Sequence, residues 1–424
     1  MPPTRRTPPP RRLPRLLAAL GPGLITGAAD DDPSGIATYS LAGARLGTDL
    51  LWMAWVTWPL MAAVQMMCAR IGMVTGRGLM GALRGKFRRR VLAPAAGALL
   101  IANTINIGAD LSGMADAGEL LSGVSSHLWV VLFGAGIAWA TIRLHYHELA
   151  RVLKWLTLAL FSYLATAVFI HPHWGDIARA AFLPGIPRGR QAWAMVVAIL
   201  GTTISPYLFF WQTSEEVEEE REGGRRTVAE REGATRAELI DRSLDVGVGS
   251  FFSNLVMFFI ILVTALTLHA HGVRAPETSR EVAEALRPLA GRFAALLYTA
   301  GIVGTGLLTI PTLSGSAAYA LAELLGWREG VDQPFRGAPA FYVIVAASIA
   351  GGVAMDFANL NPVQALYWSA VINGLLAPFL LTGILIIASD AKLMRGQPSS
   401  RLGRLVVGAT TVAMFAAGVA MFLV

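Results

Sequence analysis

The stretch Asp30-Asp31-Asp32-Pro33-Ser34-Gly35 puts three carboxylates, a proline and a glycine inside an apolar segment running from Leu16 to Leu46. A charge at bilayer depth costs about 3 kcal/mol or more, so acids survive there when they are used. Pro33 removes a backbone donor and Gly35 tolerates unusual dihedrals, so a helix entering at Leu16 is expected to break where the carboxylates sit. Broken helices carrying acids in mid-membrane are how transport folds build cation sites.

The rest of the chain has the composition of a membrane protein. Of its 424 residues, 54% are hydrophobic and only 15% charged, and the mean hydropathy is +0.54. Apolar runs near the length of a bilayer crossing recur throughout. They place about eleven spans at 15–45, 50–74, 91–124, 127–143, 147–170, 192–213, 245–270, 291–326, 337–355, 361–388 and 404–424. The basic, Pro-rich residues 1–14 read as a disordered cytoplasmic leader, and no cleavable signal pattern is present. With the N-terminus inside, 26 of the 35 Lys and Arg fall in cytoplasmic segments and 8 outside. That asymmetry puts the N-terminus in the cytoplasm and the C-terminus outside. It also accounts for the net charge of +7, whose scatter over loops argues against nucleic acid. The single cysteine, Cys68, rules out an intrachain disulfide and a cysteine-built metal site.

The sixth span carries a second interruption, Thr202-Thr203-Ile204-Ser205-Pro206-Tyr207. Pro206 blocks the regular hydrogen bond, and the hydroxyl side chains can occupy freed backbone groups. Breaks in the first helix of each of two five-helix halves predict inverted repeats, 15–170 and 192–388, with 404–424 as an extra helix. All of 15–424 then forms one transmembrane domain, and the site is expected between the two unwound segments.

With both breaks placed, the chain resembles the Nramp family of divalent-metal transporters. The likeness runs through Gly21-Pro22-Gly23, Asp32-Pro33-Ser34-Gly35, Ala42-Gly43-Ala44 and Ala69-Arg70-Ile71-Gly72 with Val74-Thr75-Gly76. It implies an all-α LeuT-type fold, a 5+5 inverted repeat with helices 1 and 6 broken, and metal transport by alternating access. In the family the first break reads Asp-Pro-Gly-Asn, whose Asp and Asn hold the metal. The second reads Met-Pro-His, whose Met sulfur acts with a backbone carbonyl three residues earlier. Here Asp32 matches the Asp, Gly35 stands at the Asn, Ser205 at the Met, Tyr207 at the His, and Thr202 supplies the carbonyl. The resemblance is therefore to a divergent bacterial-type branch. The donors left are oxygens: Asp32, Asp31, the Thr202 carbonyl, and the Ser205 hydroxyl or a water. Such a set suits Mg²⁺, Mn²⁺ or Ca²⁺ rather than softer metals. Pro33, Gly35 and Pro206 are expected to hold the segments open. Family members that carry protons have an acidic pair in span 3 and an arginine pair in span 9. Here Asp110 matches the second acid, Ile107 stands at the first, and residues 338–355 contain no arginine. Asp110 is thus a candidate proton acceptor, or a structural partner of Asn106 and Ser112.

Other residues have plainer readings beside the functional ones. Asn373 could face the cation path, although interhelical hydrogen bonding is the commoner use of a membrane Asn. Asn254 is a candidate for the inner path, and Asp245 for the interface. Asp116 and Glu119 could line an outer vestibule or cap helix ends. The run from Glu215 to Glu220 could draw exiting cations, but a solvated helix answering Arg225 and Arg226 explains it more simply. The pairs His145/His147, His171/His173 and His269/His271 read as loop histidines without a third ligand. No nucleophile, base and orienting group come together, so an enzyme is not expected. The expectation is a monomeric, multi-pass carrier in a bacterial inner membrane, moving Mg²⁺ or Mn²⁺. The metal is cargo rather than cofactor, and a proton is the candidate coupled ion. Two rivals remain: a Na⁺- or H⁺-coupled carrier of a small organic solute on the same fold, and a metal sensor using the acidic cytoplasmic run.

Overall fold

The first described helix is too short to cross a bilayer. In a computed structural model covering residues 31–144, 158–185, 187–276, 278–331, 333–358 and 361–423, α1 spans Pro33–Leu46. Its 14 residues reach about 21 Å against an apolar core of about 30 Å. Asp32 caps it, accepting the Gly35 amide at 2.6 Å, and Pro33 is its first residue. A proline there loses no hydrogen bond, because the first amides of a helix are unpaired anyway. The expected leader 1–14, the start of the first span, and His145/His147 lie outside the described residues.

The longer helices that follow are α2 Met53–Thr75, α3 Arg89–Ser122, α4 Ser126–Arg143, α5 Phe161–Phe169, α6 Arg190–Thr203, α7 Pro206–Glu222, α8 Arg236–Thr264, α9 Ala294–Leu325, α10 Pro339–Asp356, α11 Pro362–Ser389 and α12 Arg401–Leu423. Seven helical stretches among the described residues are long and apolar enough to cross a membrane. The sixth span divides as expected, α6 ending at Thr203 and α7 starting at Pro206. Only Ile204 and Ser205 separate them, so the second break is narrower than the expected 202–207. α8 opens on a capping box in which Thr235 and Glu238 satisfy each other's amides. It ends in a π-helical turn, Ala265–His269.

One expectation about the breaks needs correction. Gly35 does not hold the chain open; it lies in the first turn of α1, and the break precedes Pro33. The cause is the Asp32 cap, which starts the helix before the glycine is reached.

The core places α1 against α6, α8 and α11, with α3 beyond it and α9 and α10 packed on α3. α6 and α11 approach to backbone contact at Gly201 and Gly374. A Cβ on Gly374 would press into the Val197 carbonyl, and one on Gly201 into that of Ala370. Small residues at such crossings give membrane helices the dispersion contacts that the hydrophobic effect cannot supply between them.

Candidate metal centre

The two breaks face each other across a buried polar cluster. Asp31 and Asp32 are 2% and 1% exposed, and Asn106, Asp110 and Ser205 are wholly buried. Asp32 is held from three directions: Ser34 Oγ donates to Oδ1 at 2.7 Å, the Gly35 amide donates to the same oxygen, and Asn106 Nδ2 donates to Oδ2 at 3.1 Å. Ser253 Oγ of α8 donates to Asp31 at 3.0 Å.

Asp110 stands one helical turn from Asn106 on the same face of α3. Neither of its carboxylate oxygens has a hydrogen-bond partner. The Ser34 amide at the start of α1 points towards it without closing a bond. The expected pairing of Asp110 with Asn106 and Ser112 is not what the helices allow. Asn106 turns to Asp32, while Ser112 faces the opposite side of α3 and donates to Asp356 at 2.7 Å. Among the described residues no Lys, Arg or His pairs with Asp31, Asp32 or Asp110. All three carboxylates are buried without a cation, but among the described residues no three acidic, histidine or cysteine side chains are grouped to hold one ion. A metal here would therefore rest on one or two carboxylates with carbonyl and water oxygens.

The second break contributes less than its sequence promised. The Thr202 carbonyl is present at the end of α6, but Ser205 Oγ donates to it at 2.6 Å and to the Gly201 carbonyl at 2.7 Å. The Ser205 proton is therefore spent on repairing the broken backbone, and the lone pairs of Oγ are what it can offer an ion. Tyr207 is fully buried in the first turn of α7. Asn373 is 1% exposed, with neither amide atom hydrogen-bonded, so it is no interhelical tie. Its spacing of seven from Leu366 puts both on one face of α11. Leu366 packs on Ala37 of α1 and Ala109 of α3.

Two groups escaped the sequence reading, Ser253 and Tyr39, and Asn106 has Asp32 as its partner instead of the expected Asp110. Each acts across helices, and nothing in its local sequence marks it. Tyr39 is 1% exposed. Its hydroxyl accepts from Thr202 Oγ1 at 3.1 Å and lies 3.4 Å from Thr203 Oγ1.

The remaining candidates have structural employment. Asn254 joins α8 to α2, accepting from Thr57 at 2.7 Å and donating to the Ser250 carbonyl. Asp116 accepts the Ser279 amide, and Glu119 that of Ser126, so both cap neighbouring segments. His269 and His271 engage the carbonyls of Ala44 and Thr267. The acidic run of α7 is laced to arginines: Glu216 and Glu219 meet Arg242 of α8, which also holds Asp245 at 2.9 Å. Glu218 meets Arg221, and Glu220 meets Arg225. Of the two arginines expected to answer this run, Arg225 does so; Arg226 uses its carbonyl to accept from Arg231.

The family described as natural resistance-associated macrophage protein-like, Nramp, matches residues 23–424. The chain belongs to the Nramp family. A relative, the divalent metal cation transporter MntH of Aeromonas hydrophila, is 27% identical over 415 residues, covering 92% of this chain and 93% of that one. In structure this Nramp chain is similar to a manganese transporter of Eremococcus coleocola, with a TM-score of 0.73 at 17% identity, over 98% of this chain and 88% of the other. It is also similar to Mhp1, a nucleobase-cation-symport-1 family transporter, with a TM-score of 0.59 at 15% identity, over 96% and 90%. These likenesses establish the all-helical LeuT-type fold for this Nramp protein.

Proposed function

We propose that this protein is a secondary transporter that carries a divalent cation, Mg²⁺ or Mn²⁺, across a bacterial inner membrane by alternating access. The observation that carries the reading is the buried carboxylate pair Asp31 and Asp32 at the start of α1, with Asp110 of α3 buried one turn from the Asn106 that bonds Asp32, and no basic partner for any of them among the described residues. Asp32 is the principal ligand. Its Ser34, Gly35 and Asn106 donors orient the carboxylate, and a bound cation would draw on its remaining lone pairs. Asp31 and the Thr202 carbonyl complete an all-oxygen set, with water filling what protein does not. Mg²⁺ commonly keeps several waters and Mn²⁺ accepts carboxylate and carbonyl donors, so both fit; a soft metal finds no sulfur ligand at position 205. Membership of Nramp and a relative named for divalent metal transport support this assignment. Asp110 is the group placed to exchange a proton.

Alternating access would have to open contacts that tie the helices around the centre at both ends. Arg45 of α1 lies over the Tyr367 ring of α11 at 5.4 Å, and Arg242 ties α7 to α8 at the opposite end. The protein acts as a monomer, with the N-terminus in the cytoplasm and the C-terminus outside.

The test is uptake into proteoliposomes of Mg²⁺, Mn²⁺, Ca²⁺ and Cd²⁺ with internal pH recorded together. Uptake of Mg²⁺ and Mn²⁺ with weak Cd²⁺, abolished in Asp32→Ala, is the expected result. Undiminished uptake in Asp32→Ala would overturn the ligand assignment. A flat pH trace would establish uncoupled transport and remove Asp110 from the proton role.

A further inference from the structure

Tyr39 occupies a place that nothing in the oxygen-ligand set requires. It lies seven residues after Asp32 and four after Gly35, so all three share one face of α1. A Cβ on Gly35 would stand 3.3 Å from Asp32 Oδ1 and 3.4 Å from the edge of the Tyr39 ring. The aromatic ring therefore rests on the bare glycine, beside the principal carboxylate. Its hydroxyl then reaches across to α6, where Thr202 Oγ1 donates to it at 3.1 Å and Thr203 Oγ1 lies at 3.4 Å. Thr202 is also the residue whose carbonyl ends α6 at the break. One side chain thus touches the surroundings of the carboxylate and holds the residue that supplies the carbonyl.

We propose that Tyr39 is a positioning residue that sets the ion preference of this centre by fixing the gap between the α1 and α6 breaks. The proposal rests on the cation-transport reading above. Mg²⁺ takes oxygens at about 2.0–2.1 Å and resists distortion, whereas Ca²⁺ accepts about 2.3–2.6 Å and irregular geometry. A centre whose two walls are pinned by a rigid phenol can discriminate between such ions; one whose walls drift cannot. The pin needs both of its ends. The ring end packs beside Gly35, where a Cβ would stand in ordinary contact with the ring at 3.4 Å and slightly crowd Asp32 Oδ1 at 3.3 Å. The hydroxyl needs Thr202, whose Oγ1 otherwise keeps only its bond to the Ile199 carbonyl.

The experiment is a double-mutant cycle on Tyr39→Phe and Thr202→Val, read as KM, maximal rate and the Mg²⁺ to Ca²⁺ preference in proteoliposomes. Phe keeps the ring and Val keeps the volume, so folding is preserved. Each loses the Tyr39–Thr202 bond together with a local contact of its own, to Thr203 or to the Ile199 carbonyl, and the double variant separates the shared loss from these. Each single variant is expected to raise the KM for Mg²⁺ about 3- to 10-fold, the weight of one buried hydrogen bond, and to narrow the Mg²⁺ to Ca²⁺ preference. The double variant is expected to go no further than either single one. A purely structural role would lower the maximal rate with the amount of folded protein and leave KM and preference unchanged, overturning the proposal. Additive effects of the two substitutions would also overturn it, since they would show that the residues act separately. Should the unsubstituted protein carry no divalent cation, the transport reading itself falls, and that outcome is distinct from both.

Discussion

Asp32 and Asn106 show how one carboxylate is made ready for an ion. Asp32 accepts from a hydroxyl, a backbone amide and the Asn106 amide, and these bonds fix the direction of its free lone pairs. Of the three donors, Asn106 alone comes from another helix, so it sets the distance of α1 from α3 at the level of the site. Its own carbonyl oxygen is buried and unpartnered, leaving an acceptor free beside Asp32. Replacing it by Leu removes a hydrogen bond to an ionised group, worth about 1.5–3 kcal/mol. The expected result is uptake with a KM raised about 10-fold or more and a maximal rate retained. An unchanged KM in Asn106→Leu would show that Asp32 is oriented by its own helix alone.

Among the elements, the α6/α11 crossing fixes where the second break lies. Gly374 meets the Val197 carbonyl at backbone distance, so Gly374→Val must push α6 and the Thr202 carbonyl outward. Overpacking of this kind costs about 1–3 kcal/mol, and here the strain falls on the site. Gly374→Val is expected to melt lower in detergent and to lose uptake out of proportion to that loss of stability; uptake that follows stability alone would show that the crossing does not position the site. Both breaks were legible in the sequence because proline and clustered polar residues act on the chain locally. Ser205 was half legible: its type marked a break, but only the structure shows its hydroxyl closing on the Gly201 and Thr202 carbonyls. Ser253, Tyr39 and the true partner of Asn106 were not legible, because the bonds reach 222, 163 and 74 residues away. Such contacts are decided by which helix faces meet, and hydropathy along one chain does not record that. The same blindness misdirected Asp110 to Ser112, which points to α10.

Across the whole molecule, the end where α7 and α8 meet gathers a network of ion pairs, and the loop 326–331 lies against it through Glu329. Glu329 in that loop is pushed by burial up to about 7, against the pull of Arg221 at 3.7 Å. Because its folded pKa is raised, the folded state holds the proton more tightly than the unfolded chain. The stability this supplies is complete below the ordinary carboxylate range and is lost as pH rises through about 7. Glu329→Gln keeps the neutral form at every pH, and Arg221 retains Glu218 at 2.8 Å. Thermal unfolding in detergent should therefore show the variant stabilised at pH 8, by up to about 2 kcal/mol, and matching the parent near pH 4; a variant weaker at pH 8 would make Glu329 an ion-pair partner first. The same end of the bundle carries most of the basic residues and is expected to face the cytoplasm. Cys68 permits a direct check, since it is the chain's single cysteine and fully buried. An impermeant thiol reagent applied to intact cells should leave the parent protein unlabelled. A cysteine at Arg188, exposed between α5 and α6, should then react from outside. One at Ser400, exposed before α12, should react only after the membrane is opened. The reverse pattern would invert the molecule and place the arginine-laced end of α7 outside.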